Sequence, residues 1–482
     1  MKRKILGIIR MLYILMVLSI SVIFVKVTKD LNIIPGKYYY TGVVILFILN
    51  ILTIVCLFMR KTWKKIIGFI ISLIVIVISI IGLNYCYETN KFLDNSFDNN
   101  NMEVTKYDVV VLKDSKYKKL KELDDKTMAY LTSDENSSKV VAIIKNKVSS
   151  KLVKYDNVYD LYEDLIDSKL ESILIDEAYL DVLKEEYTDL DDKIKVVDSF
   201  VIESFIKKNK ELVVDEKLEP INIYISGSDS RSGEISDKSR SDVNMIMTIN
   251  PKTRTILLTS IPRDYYVQLH GTKGNKDKLT HSGLYGIDMS KETVEDLLDI
   301  EIDYTIKVGF SSVIEIVNLI GGIDIESDRD LTTSCGDGGA KKVKVVKGMN
   351  HFDGGEALSY ARERYAYKSG DRHRIQNQQQ VLEAIINKVL SRKDILLKYS
   401  KYLDAFSKLY KTDIPDKLIR NYIKLQLNDM SSWNIEKQYV DGTGEKKETY
   451  SMPGRKLYVM VPDEDSVNKS KENINKVLKG EK

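Results

Sequence analysis

Three long runs without acidic residues occupy the first 88 residues of this 482-residue chain. Between Lys4 and Lys26 lie 21 residues broken only by Arg10, while 22 uncharged residues separate Lys37 from Arg60 and another 22 separate Lys65 from Glu88. About 20 helical residues cross a hydrocarbon core of roughly 30 Å, so a membrane domain is expected over 1–88 with spans at about 5–25, 38–59 and 66–87. A cleaved leader does not account for the first run, since two further spans follow it and no small-residue cleavage site is evident. Lys2, Arg3 and Lys4, with Arg60, Lys61, Lys64 and Lys65, mark one side of the membrane. The other loop holds only Lys26, Lys29 and Lys37, partly offset by Asp30. The positive-inside rule puts the more basic side in the cytoplasm. The expectation is a multi-pass protein of the cell membrane whose residues after about 88 are extracytoplasmic. Tyr38 to Tyr40, Trp63, Tyr85 and Tyr87 stand where interfacial aromatics belong.

Lys plus Arg is 73 against 70 for Asp plus Glu, a net charge of +3 that excludes nucleic-acid binding by bulk charge. Three cysteines and four histidines are too few for a zinc framework, and Cys56 and Cys86 lie in apolar runs, which leaves Cys335 without a partner for a disulfide.

Residues 89–103 are rich in Asn, Asp and Ser and read as a linker. From 104 to 212, apolar runs such as Val109–Leu112 and Val140–Ile144 alternate with charged helical stretches such as 159–171, the pattern of a small α/β accessory domain. It carries no constellation of chemistry and reads as a spacer or regulatory unit. Beyond Pro220 the texture changes. Strands are expected at Ile221–Ile225, Val243–Ile249, Thr255–Ser260, Tyr304–Val308 and Ile323–Glu326. Helices are expected at Ser311–Ile320, stopped by Gly321 and Gly322, and at 354–362 and 372–391. This is an α/β domain over 213–395. The polar, helical remainder, 396–482, reads as an extension whose strand at Lys456–Val461 packs on that domain.

The carboxyl ends of these strands collect charge, where open α/β sheets bind ligands. Asp229, Arg240 with Asp242, and Arg263 with Asp264 come first, followed by Arg362, Arg364, Asp371, Arg372, Arg374 and Gln378. Carboxylates among arginines suit a metal-bridged anion: oxygen ligands select Mg²⁺ or Mn²⁺, and the guanidinium fork fits phosphate oxygens. Each element has a plain alternative. Asp229 is a turn residue, Arg240 and Asp242 an exposed pair of little energetic value, Pro262-Arg263-Asp264 a strand-ending turn, and Asp371 a helix N-cap. Arg374 and Gln378, at i and i+4, share a helix face near its positive end. His270, His281, His351 and His373 show no triad or metal spacing and receive no role.

The motifs GSDSR (227–231), KSRSDVNMIMTINPKT (238–253), SIPRD (260–264), KLTHSGLYG (278–286), NLIGGIDI (318–325), GMNHFDGGEALSYARERY (348–365) and the DRHR…QNQQ segment (371–379) occur in one order. Together they resemble the LytR–CpsA–Psr family of Gram-positive cell-wall enzymes, over roughly 218–395. The three spans and accessory domain resemble the family's capsule-attaching branch. The resemblance implies an α/β/α sandwich with a mixed central sheet. It also implies transfer of a glycopolymer (capsule, teichoic acid or a similar anionic glycan) from a polyprenyl-pyrophosphate carrier to peptidoglycan, with polyprenyl phosphate leaving. By the same resemblance, Asp229 and Asp242 hold Mg²⁺, Arg240, Arg263, Arg362, Arg364, Arg374 and Gln378 contact phosphates, and Lys278 lies in the pocket. Thr280 and Asn377 depart from the family pattern, which often has Asn and Arg there. The family's lipid tail lies in an apolar tunnel, for which the apolar positions of 311–320 and 375–390 are candidates; they equally suit ordinary helix packing.

The expected mechanism is positioning and electrostatics, with Mg²⁺ offsetting charge on the leaving phosphate and the arginines, Arg263 foremost, aligning the phosphates. Asp371 and Asp264 are candidate bases for the sugar hydroxyl. A pyrophosphatase and a membrane sensor that binds lipid-linked precursors are the rival readings.

Overall fold

The computed structural model describes every residue except 1, 99–101, 133–135, 206–217, 229–234, 237, 335–340, 368–369, 393–408 and 482. Asp229 and Cys335 therefore lie outside the described residues. Helices α1 (Lys2–Leu31), α2 (Gly36–Phe58) and α3 (Thr62–Asp98) open the chain. Each contains a stretch long and apolar enough to cross a membrane, Ile5–Leu31, Gly36–Phe58 and Thr62–Lys91, and together they suggest a membrane anchor. Some of their polar side chains pair with one another between helices, which suits a hydrocarbon surrounding. Asn50 donates to Ser21 Oγ at 3.1 Å, and Tyr13 Oη lies 2.6 Å from Ser72 Oγ. The stretch read as a linker is mostly helix, because α3 continues to Asp98 before a strand starts at Met102. Once a long helix is nucleated, each further residue adds a backbone bond at little cost, so Asn and Asp do not stop it.

Residues 102–205 form a five-stranded sheet of β1 (Met102–Leu112), β2 (Thr127–Leu131), β3 (Lys151–Tyr155), β4 (Ser172–Asp176) and β5 (Ile194–Phe205), in the order β3-β2-β4-β1-β5. Helix α4 (Ser137–Lys145) covers one face through Val140, Val141 and Ile144. Helices α5 (Val158–Ile166) and α6 (Glu177–Glu186) cover the other through Leu161, Tyr162, Leu165, Leu180 and Leu183.

The second sheet has six strands: β6 (Ile221–Ser228), β7 (Val243–Asn250), β8 (Thr255–Ile261), β9 (Tyr304–Gly309), β10 (Tyr410–Thr412) and β11 (Asn434–Tyr439), in the order β10-β9-β6-β7-β8-β11. It is mixed: β9 runs parallel to β6 and β11 to β8, while β6, β7 and β8 alternate and β10 is antiparallel to β9. All eight residues of β6 are buried, as expected of a central strand covered on both faces. One face packs on α7 (Ile287–Leu298) and α12 (Glu464–Lys479), through Val294, Leu298, Val467, Ile474 and Val477. The other packs on α10 (Asp371–Ser391) and α11 (Asp416–Asp429), through Leu382, Ile386 and Leu418. Helices α8 (Phe310–Leu319) and α9 (Gly354–Arg362) join α10 in a further core around Val317, Tyr360 and Val381.

Register decides where the site lies. Gly227 faces Val243, Asn244 faces Ile261, and Ser228 faces Gly309. The carboxyl ends of β6, β8 and β9 and the start of β7 thus share one edge of the sheet.

The segment 396–482 is more than an extension. Its β10 and β11 are both edge strands of the central sheet, and α11 and α12 cover opposite faces of it. Short strands bounded by long polar helices carry too weak a local pattern to be read as sheet members. A chain stopped after residue 395 is therefore expected to lose cooperative thermal unfolding of its second sheet. Circular dichroism melts of the detergent-solubilised truncated and full chains check this, and matching transitions would refute it.

Candidate active site

Three segments meet at that edge and are laced together by backbone. Asp242 N–H donates to Gly227 O at 2.8 Å, extending the β6–β7 ladder by one residue. Ser241 N–H donates to Thr280 O at 3.0 Å, Thr280 N–H to Arg263 O at 2.8 Å, and Ser239 N–H to Gly283 O at 3.1 Å. The last contact needs a glycine, because a Cβ at position 283 would fall 2.2 Å from Ser239 O. Beneath them, Ser226 Oγ lies 2.8 Å from Ser241 Oγ, and Tyr224 Oη lies 3.2 Å from the same hydroxyl.

The side chains these segments carry form a charged cluster. Arg263 Nη1 donates to Asp242 Oδ1 at 2.8 Å, Arg240 Nη2 lies 3.7 Å from Oδ2, and Thr280 Oγ1 donates to Oδ1 at 3.4 Å. Lys278 Nζ lies 3.1 Å from Asp264 Oδ1, and Arg263 Nε 3.8 Å from Asp264 Oδ2. All five charged side chains are only 8–11% exposed. Burial by itself would raise the Asp242 carboxyl, but Arg240 and Arg263, joined by Arg374, hold it well below the usual carboxylate range.

The helical side supplies the rest. Arg374 and Gln378 lie one turn apart on α10, and Arg374 is close enough to act on the Asp242 charge. Gln378 is half-buried. The Arg362 guanidinium lies 4.8 Å over the ring of Phe310, the residue that follows β9 at the shared edge. Arg364 stands farther out, donating to Tyr365 Oη at 2.7 Å and stacking on that ring at 4.8 Å. Asp371 begins α10 rather than capping it, since Gly370, at φ 52°, is the N-cap; the Asp371 side chain is outside what the structure describes. Arg372 is committed elsewhere, 2.7 Å from Asp441 just after β11. Asn377 is fully buried and donates to Tyr360 O at 3.0 Å, so this departure from the family pattern ties α10 to α9.

Arg240, Asp242, Arg263, Lys278 and Arg374 are thus brought together, while Arg362 stacks on Phe310 at the end of β9. Sequence reading left Asp277 and His281 unassigned. Their i, i+4 spacing is the signal that could have found them, and they form a buried contact of 2.7 Å next to Lys278. Among the described residues no group of three or more His, Cys, Asp or Glu side chains is placed to hold a metal.

A family model described as the LytR_cpsA_psr family matches residues 185–476, more than half of the chain. The chain belongs to the LytR_cpsA_psr family. The matched range runs through β11 and into α12, in keeping with a C-terminal segment built into the sheet. Among family relatives, the "polyisoprenyl-teichoic acid–peptidoglycan teichoic acid transferase TagU" of Bacillus subtilis strain 168 is 36% identical over 234 residues, covering 48% of this chain and 68% of that protein. The protein of the same name from Bacillus cereus is 35% identical over 240 residues, covering 50% of this chain and 74% of its own. The crystal structure of B. subtilis TagV is 30% identical and covers 55% of this chain and 98% of that chain, at a TM-score of 0.46.

The depressed Asp242 carboxyl makes a pH prediction. Its folded value lies below the unfolded value of about 4, so its stabilisation is complete above that value and is lost as pH falls toward the folded one. Asp242→Asn leaves buried guanidinium groups uncompensated, a cost of about 3–5 kcal/mol. Thermal melts should show a constant deficit for the variant from neutral pH to about pH 5, narrowing in stronger acid. A deficit that widens in acid would contradict the assignment.

Proposed function

We propose that this chain is a membrane-anchored transferase that moves a glycopolymer from polyprenyl pyrophosphate onto peptidoglycan and releases polyprenyl phosphate. The observation that carries the reading is the buried cluster of Arg240, Asp242, Arg263 and Arg374 at the sheet edge, in a family whose relatives bear such a transferase name. Guanidinium forks gathered at one edge, with the Lys278 ammonium beside them, match the oxygens of a pyrophosphate.

In the proposed reaction an acceptor hydroxyl oxygen bonds to the phosphorus that bears the glycan. The bridging P–O bond breaks and its electron pair leaves on polyprenyl phosphate. Arg240, Arg263 and Arg374 align the phosphates and stabilise charge that grows on the leaving group, a task of positioning rather than covalent chemistry. Of the two candidate bases, Asp264 is engaged by Lys278 and Arg263. That leaves Asp371, at the start of α10, to accept the hydroxyl proton.

Mg²⁺ fits the donor set on one condition. A carboxylate kept ionised by arginines is a competent hard ligand, yet one carboxylate amid guanidinium groups holds the ion only with phosphate oxygens supplying further ligands. Asp242 is the described residue that would hold it, with Asp229 assigned by sequence alone. When bound, the ion would offset charge on the pyrophosphate.

Transfer from a polyprenyl-pyrophosphate-linked donor to peptidoglycan tests the reading. Arg374→Ala should keep its melting temperature and lose on the order of a hundredfold in rate, a few kcal/mol of transition-state stabilisation. Arg374→Lys should recover only part, because an ammonium lacks the planar fork. Chelation should stop the wild-type reaction and Mg²⁺ restore it. Near-wild-type transfer by Arg374→Ala would remove that residue from the site, and phosphate release without glycan transfer would favour hydrolysis. The basic flanks of the spans support a site outside the cytoplasm; a reporter fused after Lys482 that is active only in the cytoplasm would overturn that reading.

A further inference from the structure

Beside the phosphate edge lies a buried pair that the proposed transfer does not use. Asp277 is 0% and His281 2% exposed, with Nδ1 of the imidazole 2.7 Å from Oδ1 of the carboxylate. The same Oδ1 accepts Lys278 N–H at 2.7 Å, and Oδ2 accepts Ser451 N–H at 2.7 Å. One carboxylate therefore holds the 277–281 turn together and ties it to Ser451, 174 positions away in sequence. Burial would raise its titration, but the imidazole and Ser451 hold it below the usual range, as an ionised, fully engaged anchor.

On one side the anchor leads into the site. Lys278 reaches Asp264 at 3.1 Å, Thr280 Oγ1 reaches Asp242 at 3.4 Å, and Thr280 N–H donates to Arg263 O at 2.8 Å. On the other side it leads to the 102–205 unit. Ser451 Oγ lies 3.0 Å from Tyr285 Oη. Leu284, Met452 and Leu457 are buried in the same core as Tyr159, Tyr162 and Leu165 of α5, with Tyr285 packed against it. Arg455 stacks over Tyr159 at 4.7 Å and Tyr187 at 5.4 Å and pairs with Glu163, while Asn157 donates to Pro453 O at 3.3 Å. The 449–457 segment is thus gripped by the accessory unit from one side and by Asp277 from the other.

We propose that Asp277 and His281 are positioning residues for the transfer, through which the seat of the 102–205 unit on residues 449–457 fixes Lys278 and Thr280 at the phosphate edge. The inference rests on reading that edge as the donor site. It gives the accessory unit a part in donor alignment, beyond that of a spacer. A carboxylate that binds the backbone of the residue it positions acts at short range, where a displacement of about 1 Å costs on the order of a hundredfold in rate.

The test uses the full chain in lipid nanodiscs with the polyprenyl-pyrophosphate-linked donor and peptidoglycan, comparing Lys278→Met, Asp277→Asn, their double variant and Tyr285→Phe. Asp277→Asn should lower kcat/KM for the donor about tenfold, leave the acceptor KM unchanged, and add less than about twofold to the loss in Lys278→Met, the non-additivity of residues acting as one unit. A merely structural pair would instead multiply the two losses, which would overturn the proposal. If Asp277→Asn does not fold, Tyr285→Phe removes only the hydroxyl at Ser451; it should cost roughly threefold on its own and nothing in the Lys278→Met background. Wild-type transfer by Tyr285→Phe in that case overturns the coupling. Lys278→Met at the wild-type rate overturns both the donor-site reading and this inference, whereas a slow Lys278→Met beside a wild-type Asp277→Asn overturns this inference alone.

Discussion

Several guanidinium groups can be gathered at the dry end of a sheet only if something buried there offsets part of their charge, and in this chain that is foremost Asp242, with Asp264 beside it. The Asp242 carboxylate takes Arg263 at 2.8 Å and Arg240 at 3.7 Å, and Arg374 adds to the field around it. Desolvating an unpaired charge costs several kcal/mol, so without Asp242 the arginines would turn toward solvent. With full compensation, the cluster would be a closed salt-bridge network with no appetite for a ligand. Asp242 and Asp264 together offset part of that charge, and on the proposed reading the pyrophosphate joins them as a further anion facing the guanidinium groups.

The charges of this cluster were legible because they stand beside turn signals at strand ends, such as Pro262 before Arg263 and the Asn250-Pro251 turn that sets the β7–β8 register. A sequence also shows Arg374 and Gln378 to be neighbours, since helical spacing is local. What it could not show was the identity of partners across the fold. Arg372 looked like part of the anion cluster and is instead bound to Asp441, 69 positions away in sequence. Asn377, where the family pattern often has Arg, is a packing residue bound to Tyr360 O. Thr280 reaches Asp242 through its hydroxyl, and only the close approach at Gly283 makes that contact available.

The same reasoning explains the fate of the C-terminal segment. Edge strands are short and half-exposed, so β10 and β11 lack the continuous apolar runs that made β6 and β7 readable. Their places are set by pairing with β9 and β8, which no local window contains. The last residues of β11 then lead to Asp441, the partner of Arg372, so a segment read as an appendage helps to orient the first turn of α10.

The membrane contact sits at the other end of the sheet. Arg420 and Lys424 of α11 reach Leu31 O at 3.2 Å and Asn32 Oδ1 at 2.8 Å, and Ile423 and Leu427 pack with Leu31, Ile33 and Cys86. Helix α11 is in turn tied to the β7–β8 turn, where Arg254 donates to Gln426 Oε1 at 2.9 Å and to Asp429 Oδ1 at 3.0 Å. From that turn, β8 runs from Thr255 to Ile261 and delivers Arg263 at the far edge, roughly 20 Å away at ~3.3 Å per residue. If the bilayer surface lies near Leu31 and Asn32, as the proposed anchoring has it, a phosphate held at that surface would stop a strand length short of the arginines. For a lipid-linked pyrophosphate to reach them, the first part of its tail must leave the bilayer, at a cost of about 0.8 kcal/mol for every methylene exposed to water. Half-buried Met247, Ile306, Leu382 and Ile386 pack into the core between this face of the sheet and its covering helices. On the proposed reading, a carrier with a long apolar tail can span that distance while its far end stays in the bilayer, whereas a short-tailed carrier would have to leave the membrane altogether.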